Sequence, residues 1–170
     1  MKKLMASFAL ITTIFACQPK AETTAISNYP SNATGYNIDS SANIETVKKA
    51  LTAGLSYDTA TTKTLYVDTA SVWDNTTKQT LAQNMQMAGM FKSKAATVKL
   101  ERIENIWESV RNKQDVDGSQ SYVHVYMTVS VTRGGKKIEV IMNAVFAFNN
   151  GKIIQEWDVY DTSAMMEILK

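Results

Sequence analysis

The chain has 170 residues, of which 45% are hydrophobic and 20% charged, with 7 glycines and 2 prolines. These values are ordinary for one globular domain and exclude a collagen-like, low-complexity or strongly charged disordered chain. The formal net charge is only +2. Because nucleic-acid binding needs a clear basic surplus, the composition predicts no nucleic-acid partner.

The first 16 residues are predicted to be a signal peptide. Lys2 and Lys3 precede an uncharged run that is too short to span a bilayer, and the small residue Ala16 follows it. We therefore expect the chain to be exported. Removing Lys2 and Lys3 from the 18 basic residues leaves 16 against 16 acidic ones, so the mature chain is close to neutral.

The segment 14–17 resembles the lipobox of bacterial lipoproteins, in which the cysteine is acylated and becomes the new N-terminus. Cys17 is the only cysteine, so no disulfide can form within the chain, and an exported domain gains nothing from a lone thiol. The resemblance implies lipidation of Cys17 and stable membrane anchoring. Gln18 implies the outer membrane by the best-known sorting rule. We expect a lipid-anchored protein of the cell envelope that faces the periplasm.

Residues 17–42 are predicted to be a flexible, lipid-anchored tether, because they are rich in Ser, Thr, Asn and Ala and contain both prolines. The folded domain is then expected to span 43–170. A first helix is predicted over 43–56 and a third over 77–91 by apolar residues at helical spacing. Asp58 is expected to cap a short second helix between them.

The clearest pattern is a β-hairpin around Gly134-Gly135. Apolar residues occupy the odd positions of 123–131 and the even positions of 138–148, which is the period of half-buried strands. If the two glycines form a two-residue turn, Arg133 faces Lys136 and the two apolar sets fall opposite each other. Two independent patterns therefore agree with one register.

Further strands are predicted on both sides of this hairpin. The segment 98–110 has helical spacing, but it is rich in β-branched residues and Asp117-Gly118 makes a turn from it into the hairpin, so we predict a strand. Residues 72–74 are predicted as a short strand, and another strand follows Asn150-Gly151. A last helical turn is expected after Thr162 or Ser163.

Two motifs, LYVDTASVWD at 65–74 and FAFNNGKIIQEWDV at 146–159, carry a resemblance to a known family. The second resembles an ending that is common in SnoaL-like proteins of the nuclear-transport-factor-2-like superfamily. The resemblance covers about 43–170 and implies an α+β cone, cystatin-like or SnoaL-like, in which about three N-terminal helices pack on a curved antiparallel sheet. This fold hosts isomerases, cyclases, hydrolases and inert binding modules, so it leaves the reaction open.

The resemblance implies two candidate catalytic carboxylates. Asp74 matches the proton-shuttling Asp of ketosteroid isomerases, and Asp158 matches the acid/base Asp of SnoaL-type polyketide cyclases. Two carboxylates at one apolar cavity suit proton transfer, because desolvation raises the pKa of one of them. The electrophilic partners of these families are missing, since Ala144 and Ala50 stand at the matching positions. Such a partner usually makes the largest single contribution to catalysis.

The register of the last strand decides where Asp158 points. With a two-residue turn at 150–151, Asp158 points away from the apolar face. With a three-residue loop at 149–151 and a bulge, Asp158 turns inward together with Glu156 and Tyr160. The hydrophobic pattern favours the first alternative, and the family resemblance favours the second.

The missing electrophile favours a non-catalytic domain that binds a small, largely apolar molecule. Residues expected to contact this ligand are large and mostly apolar: Trp73, Met85, Met142, Phe146 and Tyr160. One alternative is an isomerase- or cyclase-type enzyme that uses Asp158 or Asp74 as acid/base. Another is an accessory subunit of an envelope protein complex.

No metal or other cofactor is expected. His124 is the only histidine, it lies opposite the apolar face, and the chain has no Cys/His metal spacing and no Gly-rich phosphate loop. The face that carries His124 is mixed, and such a face commonly pairs subunits in this superfamily. The resemblance therefore implies a homodimer through this face, which includes Tyr122, Tyr126, Thr128, Ile141, Asn143 and Val145.

Overall fold

The computed structural model describes residues 35–170. The predictions for the signal peptide, for Cys17 and for most of the tether lie outside these residues. The elements in chain order are β1 (Gly35–Ile38), α1 (Ala42–Leu55), α2 (Thr59–Leu65), β2 (Tyr66–Asp74), β3 (Thr77–Thr80), α3 (Leu81–Ser93), β4 (Thr97–Arg111), β5 (Ser121–Arg133), β6 (Lys136–Asn149), β7 (Lys152–Tyr160) and α4 (Thr162–Ile168). None of these helices has the length and hydropathy to cross a membrane.

Seven strands form one sheet in the order β1-β4-β5-β6-β7-β2-β3. Neighbouring strands are antiparallel except for the parallel pair β2 and β7. We call the face that packs against α1 and α3 the inner face and the opposite one the outer face. The predicted fold class, helices on a curved, mostly antiparallel sheet, is confirmed.

Side-chain caps fix where the three N-terminal helices begin. The Ser41 side chain accepts a hydrogen bond from the backbone N–H of Ile44 at the start of α1, and Asp58 caps α2 as predicted. Thr80 and Gln83 form a capping box at the start of α3. The third helix begins four residues later than predicted, because Thr77–Thr80 pairs with β2 as strand β3.

The central hairpin has the predicted register. Gly134 and Gly135 have φ angles of +56° and +78°, which a two-residue turn of this kind requires. Arg133 pairs with Lys136, and Val125 pairs with Ala144. The apolar residues of both strands line the inner face: most pack with α1 into the main core, whereas Val131, Ile138 and Val140 pack with the C-terminal end of the chain.

The predicted strand at 98–110 is also confirmed, as β4. Strand β1 pairs with β4 but was not predicted, and it lies inside the range 17–42 that we assigned to the tether. Gly35 permits this pairing, since a Cβ atom there would lie 1.9 Å from the carbonyl oxygen of Val110. Residues 35–38 therefore belong to the sheet.

A β-bulge in β7 decides the open question of register. The turn at Asn150-Gly151 has two residues, and Phe148 pairs with Ile153. The next pair along the ladder is Ala147 with Gln155, so Ile154 is an extra residue that shifts the alternation. The turn is therefore the two-residue turn of the first alternative in the sequence analysis. The bulge nevertheless turns Asp158 inward, as the second alternative predicted.

The outer face carries a row of large side chains across the sheet. Trp107 pairs with His124, His124 with Val145, and Val145 with Trp157, which also pairs with Trp73. The rings of Trp107 and His124 stack at a centroid distance of 4.9 Å and an interplanar angle of 7°. All three tryptophans of the chain therefore lie on the outer face.

Candidate active site

The inner face of the sheet and the helices enclose a cavity of about 180 Å³. Helices α1 and α3 and strands β4 to β6 supply mostly apolar walls, which include Leu51, Leu55, Leu81, Met85, Phe91, Met127 and Met142. None of the described residues that line the cavity is Lys, Arg or His. Such walls suit a small molecule with a large apolar surface.

Three carboxyl groups project into this cavity from two neighbouring strands. The parallel register of β2 and β7 pairs Asp74 with Asp158. The shifted alternation of β7 puts Glu156 on the same face as Asp158, opposite Phe146 and Ala144 of β6. We call Asp74, Glu156 and Asp158 the carboxyl cluster.

Hydrogen bonds within the wall satisfy only part of the carboxyl cluster. The Tyr66 hydroxyl donates to Oε2 of Glu156 at 2.6 Å. The Glu156 and Asp158 side chains also interact with each other, as do those of Tyr160 and Asp74. Oδ1 of Asp74 and Oδ1 of Asp158 are buried and have no partner. Buried oxygens without a donor are costly and rare, so these two are candidates for contact with a ligand.

Burial makes Glu156 and Asp158 prone to hold protons. Desolvation raises the pKa of Asp158 well above its usual range, and the charges of Glu156 and Asp74 raise it further. Desolvation also raises the pKa of Glu156 to about 7, although the hydrogen bond from Tyr66 opposes this shift. Glu156 lines the cavity. At neutral pH the Glu156–Asp158 pair thus combines a carboxylic acid with a group that can accept a proton.

Tyr57 brings a third tyrosine to the cavity through an unusual helix end. Helix α1 ends in a Schellman motif, in which the N–H of Asp58 bonds to the carbonyl of Ala53 and that of Tyr57 to Gly54. Tyr57 takes the left-handed position that glycine usually fills, with φ of +61°, at a cost of roughly 1–2 kcal/mol. Its hydroxyl is buried without a partner and lines the cavity.

The structure brings together five of the predicted site residues and separates two others. Asp74, Asp158, Met85, Met142 and Tyr160 line the cavity. Trp73 and Phe146 do not: Trp73 lies on the outer face, where the Lys78 ammonium sits 5.7 Å from its ring centre, and Phe146 is fully buried in the core.

Sequence reasoning did not select Glu156, Tyr66 or Tyr57 as site residues. Glu156 lies two residues before Asp158 on β7, and side chains two residues apart in a strand lie on the same face. The alternation of that strand could therefore have identified Glu156. Tyr66 comes into reach only through the parallel pairing of β2 with β7, which no local pattern shows. Within residues 35–170, no three His, Cys, Asp or Glu side chains are grouped to hold a metal ion.

No protein-family model matches the chain, and no curated protein matches it. Solved structures do resemble it. An LEH-like epoxide hydrolase from M. tuberculosis superposes with a TM-score of 0.55 at 17% identity, over 75% of this chain and 89% of that one. A candidate polyketide cyclase from Xanthomonas campestris pv. campestris superposes with a TM-score of 0.57 at 12% identity, over 76% of this chain and 97% of that one.

A candidate SnoaL-like polyketide cyclase from Jannaschia sp. CCS1 gives a TM-score of 0.53 at 14% identity, over 75% of this chain and 91% of that one. At these identities the likeness concerns the fold and not the reaction. The chain therefore has the nuclear-transport-factor-2-like fold of SnoaL-like proteins, with a carboxyl cluster in its cavity.

Proposed function

We propose that the cavity binds a small, largely apolar substrate with an oxygen atom at its polar end, and that the carboxyl cluster transforms it by general acid–base catalysis. The observation that carries this proposal is the Glu156–Asp158 pair: two carboxyl groups on one face of β7 that line a cavity with no Lys, Arg or His among the described residues of its wall. Pairs of this kind supply both an acid and a base near neutral pH.

The protonated carboxyl group supplies the electrophile that is missing at the positions where related enzymes keep it. A neutral carboxylic acid in an apolar site donates a hydrogen bond to a developing oxyanion. Ala144, which stands where related cyclases keep a His, pairs directly with Asp158. The role expected of a separate side chain is then taken by a member of the carboxyl cluster itself.

Two reaction types fit this arrangement. In an isomerisation, the acid hydrogen-bonds to a carbonyl oxygen while the ionised carboxylate takes a proton from the adjacent carbon and then returns it to the γ-carbon, so that the double bond moves into conjugation. In the opening of an epoxide, the acid protonates the ring oxygen as its C–O bond breaks, and the carboxylate takes a proton from the attacking water. The fold neighbours described as a cyclase and as an epoxide hydrolase support the enzyme interpretation.

The test uses two small substrates, 3-cyclohexen-1-one for isomerisation and cyclohexene oxide for hydration. We expect one of them to be converted faster than in buffer, and we expect Asp158→Asn to remove most of this activity. Glu104→Gln, on the outer face, is the matched control because it also removes one carboxylate. The proposal fails if the wild-type protein converts neither of these nor any other small ketone or epoxide in a wider panel.

A second candidate is binding without turnover. The observation in its favour is that the Tyr66 hydroxyl donates to Glu156, so it is not free to polarise a substrate oxygen. This candidate predicts saturable binding of apolar ketones with no proton exchange at their activated carbons. Calorimetry together with deuterium exchange followed by NMR separates the two candidates.

We further propose that the protein acts at the cell envelope, anchored through an acylated Cys17 in the outer membrane and facing the periplasm. The support is the lipobox resemblance of the segment 14–17. Expression in a bacterial host with labelled palmitate tests it. We expect label in the wild-type protein and none in Cys17→Ser, which should also leave the membrane fraction. Unlabelled wild-type protein in the soluble fraction would contradict the proposal.

The outer face is proposed to pair two copies of the chain. Ile141 and Val159 are 56% and 59% exposed there, and Asn143 between them pairs with both Tyr126 and Val159. Exposed apolar side chains on a sheet face commonly mark an interface. Sedimentation equilibrium should show a dimer that Ile141→Asp weakens. A monomeric wild type would instead favour the accessory-subunit alternative, which crosslinking in cells would test.

A further inference from the structure

The charge of the cavity is unbalanced. The described residues that line it include three carboxyl groups and three tyrosines, but no basic side chain. The other buried carboxylate, Glu108, is 3% exposed and accepts a hydrogen bond from Nδ2 of Asn43 at 2.7 Å. Glu108, which lies outside the cavity lining, therefore has a hydrogen-bond donor from the protein itself.

Two oxygens of the carboxyl cluster lack such a donor. In the part of the chain that the structure describes, Oδ1 of Asp74 and Oδ1 of Asp158 are the buried carboxyl oxygens without a partner. Asp158 is 93% buried, as its exposed fraction is 7%, and it lines the cavity. Both oxygens belong to residues of the cavity wall that are paired across β2 and β7. A ligand group at this point of the wall would therefore lie beside both residues.

We infer that the cavity recognises small apolar amines in their protonated form, with the ammonium group donating to Oδ1 of Asp158 and Oδ1 of Asp74. The inference rests on the proposed function only for the location of the substrate, and it adds the substrate class. An ammonium supplies both the positive charge and the N–H donors that the wall lacks.

The rest of the cavity suits the hydrocarbon part of such a ligand. Met85, Phe91 and Met142 present apolar and polarisable surface, and methionine adapts to varied shapes. The rings of Tyr57 and Tyr66 also lie in the wall, and aromatic faces attract organic cations. An acidic ligand would instead meet three carboxyl groups and no cation, which disfavours it.

Binding of a cation must compete with protons. The groups that face Asp158 are Asp74 and Tyr66 from β2, Glu156 and Tyr160 from β7, and Tyr57 from the end of α1. Helices α3 and α4 and strand β6 contribute no ionisable side chain to the lining. An ammonium binds best to an ionised cluster. Amine affinity should therefore fall as the pH is lowered, whereas the affinity for a neutral isostere should not.

The test compares three probes of matched shape, benzylamine, benzyl alcohol and benzoate, by calorimetry with the full chain in detergent. At pH 8 we expect benzylamine to bind at least about tenfold more tightly than benzyl alcohol and benzoate to bind most weakly. Lowering the pH to 5.5 should reduce the preference for the amine, and measurements in buffers of different ionisation enthalpy should show proton release on binding.

Variants locate the effect. Asp158→Asn and Asp74→Asn should each reduce benzylamine affinity about tenfold or more while leaving benzyl alcohol binding within a factor of about two. The control Glu104→Gln on the outer face should change neither. If Asp158→Asn does not fold, Asp74→Asn alone carries the test, because Asp74 is less buried.

The inference is overturned if benzyl alcohol or benzoate binds as tightly as benzylamine, or if the preference survives in both variants. Its failure is distinct from failure of the proposed function. Turnover of neutral ketones or epoxides without amine binding refutes the amine specificity and retains the acid–base enzyme. Tight, pH-dependent amine binding without any turnover retains the amine site and refutes the enzyme.

Discussion

Glu101 and Glu156 lie on opposite faces of the same sheet and have opposite electrostatic surroundings. Glu101, on the outer face, accepts hydrogen bonds from Ser130, Lys137 and Lys99, and these lower its pKa to about 2. Glu156, on the inner face, is desolvated and has only Tyr66 as an external donor, and its pKa rises to about 7.

The difference shows that the supply of donors, and not residue type, separates a carboxylate with a lowered pKa from one with a raised pKa. On the outer face, hydroxyls and cations surround Glu101 and Glu104 and lower the pKa of both. The inner face withholds cations from three carboxyl groups, so at least one of them keeps its proton near neutral pH. Substitutions on either face of the sheet test this difference.

The largest expected effect is on catalysis. Asp158→Asn keeps the shape of the side chain but removes a titratable group from the carboxyl cluster, so turnover of the converted substrate should fall by about 10²- to 10⁴-fold. Glu104→Gln should leave turnover unchanged. Steady-state kinetics measure this, with circular dichroism to show that both variants are folded. Equal losses in the two variants would contradict the distinction between the faces.

The second largest expected effect is on how the free energy of unfolding depends on pH. The pKa of Glu156 is raised from 4.5 to about 7 by folding, so its contribution is fully present below pH 4.5 and is lost as the pH rises through 7. The loss is about 3 kcal/mol for a shift of this size. Glu156→Gln should therefore stabilise the protein at pH 8 and flatten the pH dependence between 4.5 and 7.

Urea unfolding at several pH values measures this effect. Asp158 is shifted in the same direction, so part of the decline with rising pH should remain in Glu156→Gln. The prediction is refuted if the variant is less stable than the wild type at pH 8.

A smaller effect is expected from the donor to Glu156. Tyr66→Phe removes the hydrogen bond that lowers the pKa of Glu156. That pKa should therefore rise by about one unit, since hydrogen bonds to charged groups contribute about 1.5–3 kcal/mol. The corresponding limb of the pH–rate profile should move to higher pH. A profile that does not move would show that Glu156 is not the group that titrates.

The smallest effect belongs to the outer face. Because hydrogen bonds from Ser130, Lys137 and Lys99 lower the pKa of Glu101, its stabilising contribution is present above pH 4.5 and is lost as the pH falls toward 2. Glu101→Gln should slightly destabilise the protein at pH 7 and reduce the loss of stability on acidification. Acid unfolding followed by circular dichroism measures this, and a steeper acid transition in the variant would contradict it.

Much of the fold was predictable because strand alternation and turn chemistry are local signals. The register of the hairpin at Gly134-Gly135 followed from two apolar phases, and β4 followed from its β-branched content and the turn after it. Strand β1 was missed because its four residues carry no periodicity and are held by backbone pairing to β4. Such long-range pairing leaves no local pattern to detect.

The site was less predictable than the fold. Asp74 and Asp158, which the family resemblance singled out, line the cavity. The resemblance offered no way to see that Tyr66 reaches Glu156, a contact between residues 90 positions apart. Trp73 was expected at the cavity as a large apolar residue. Its position directly before Asp74 in a strand sends it to the other face once Asp74 faces inward.

The extra residue Ile154 gives the bulge in β7 an importance beyond its size. If Ile154 paired regularly with Ala147 and the bulge were absent, each later residue would shift by one partner, so Trp157 and Val159 would turn toward the helices and Asp158 would turn away from them. A shift of one residue in the pairing of β7 with β6 thus separates an apolar cavity lining from a carboxylic one on the same scaffold. The gain or loss of a bulge at this point, with the matching shift in pairing, is therefore a direct route by which proteins of this shape can change the chemistry of their cavity.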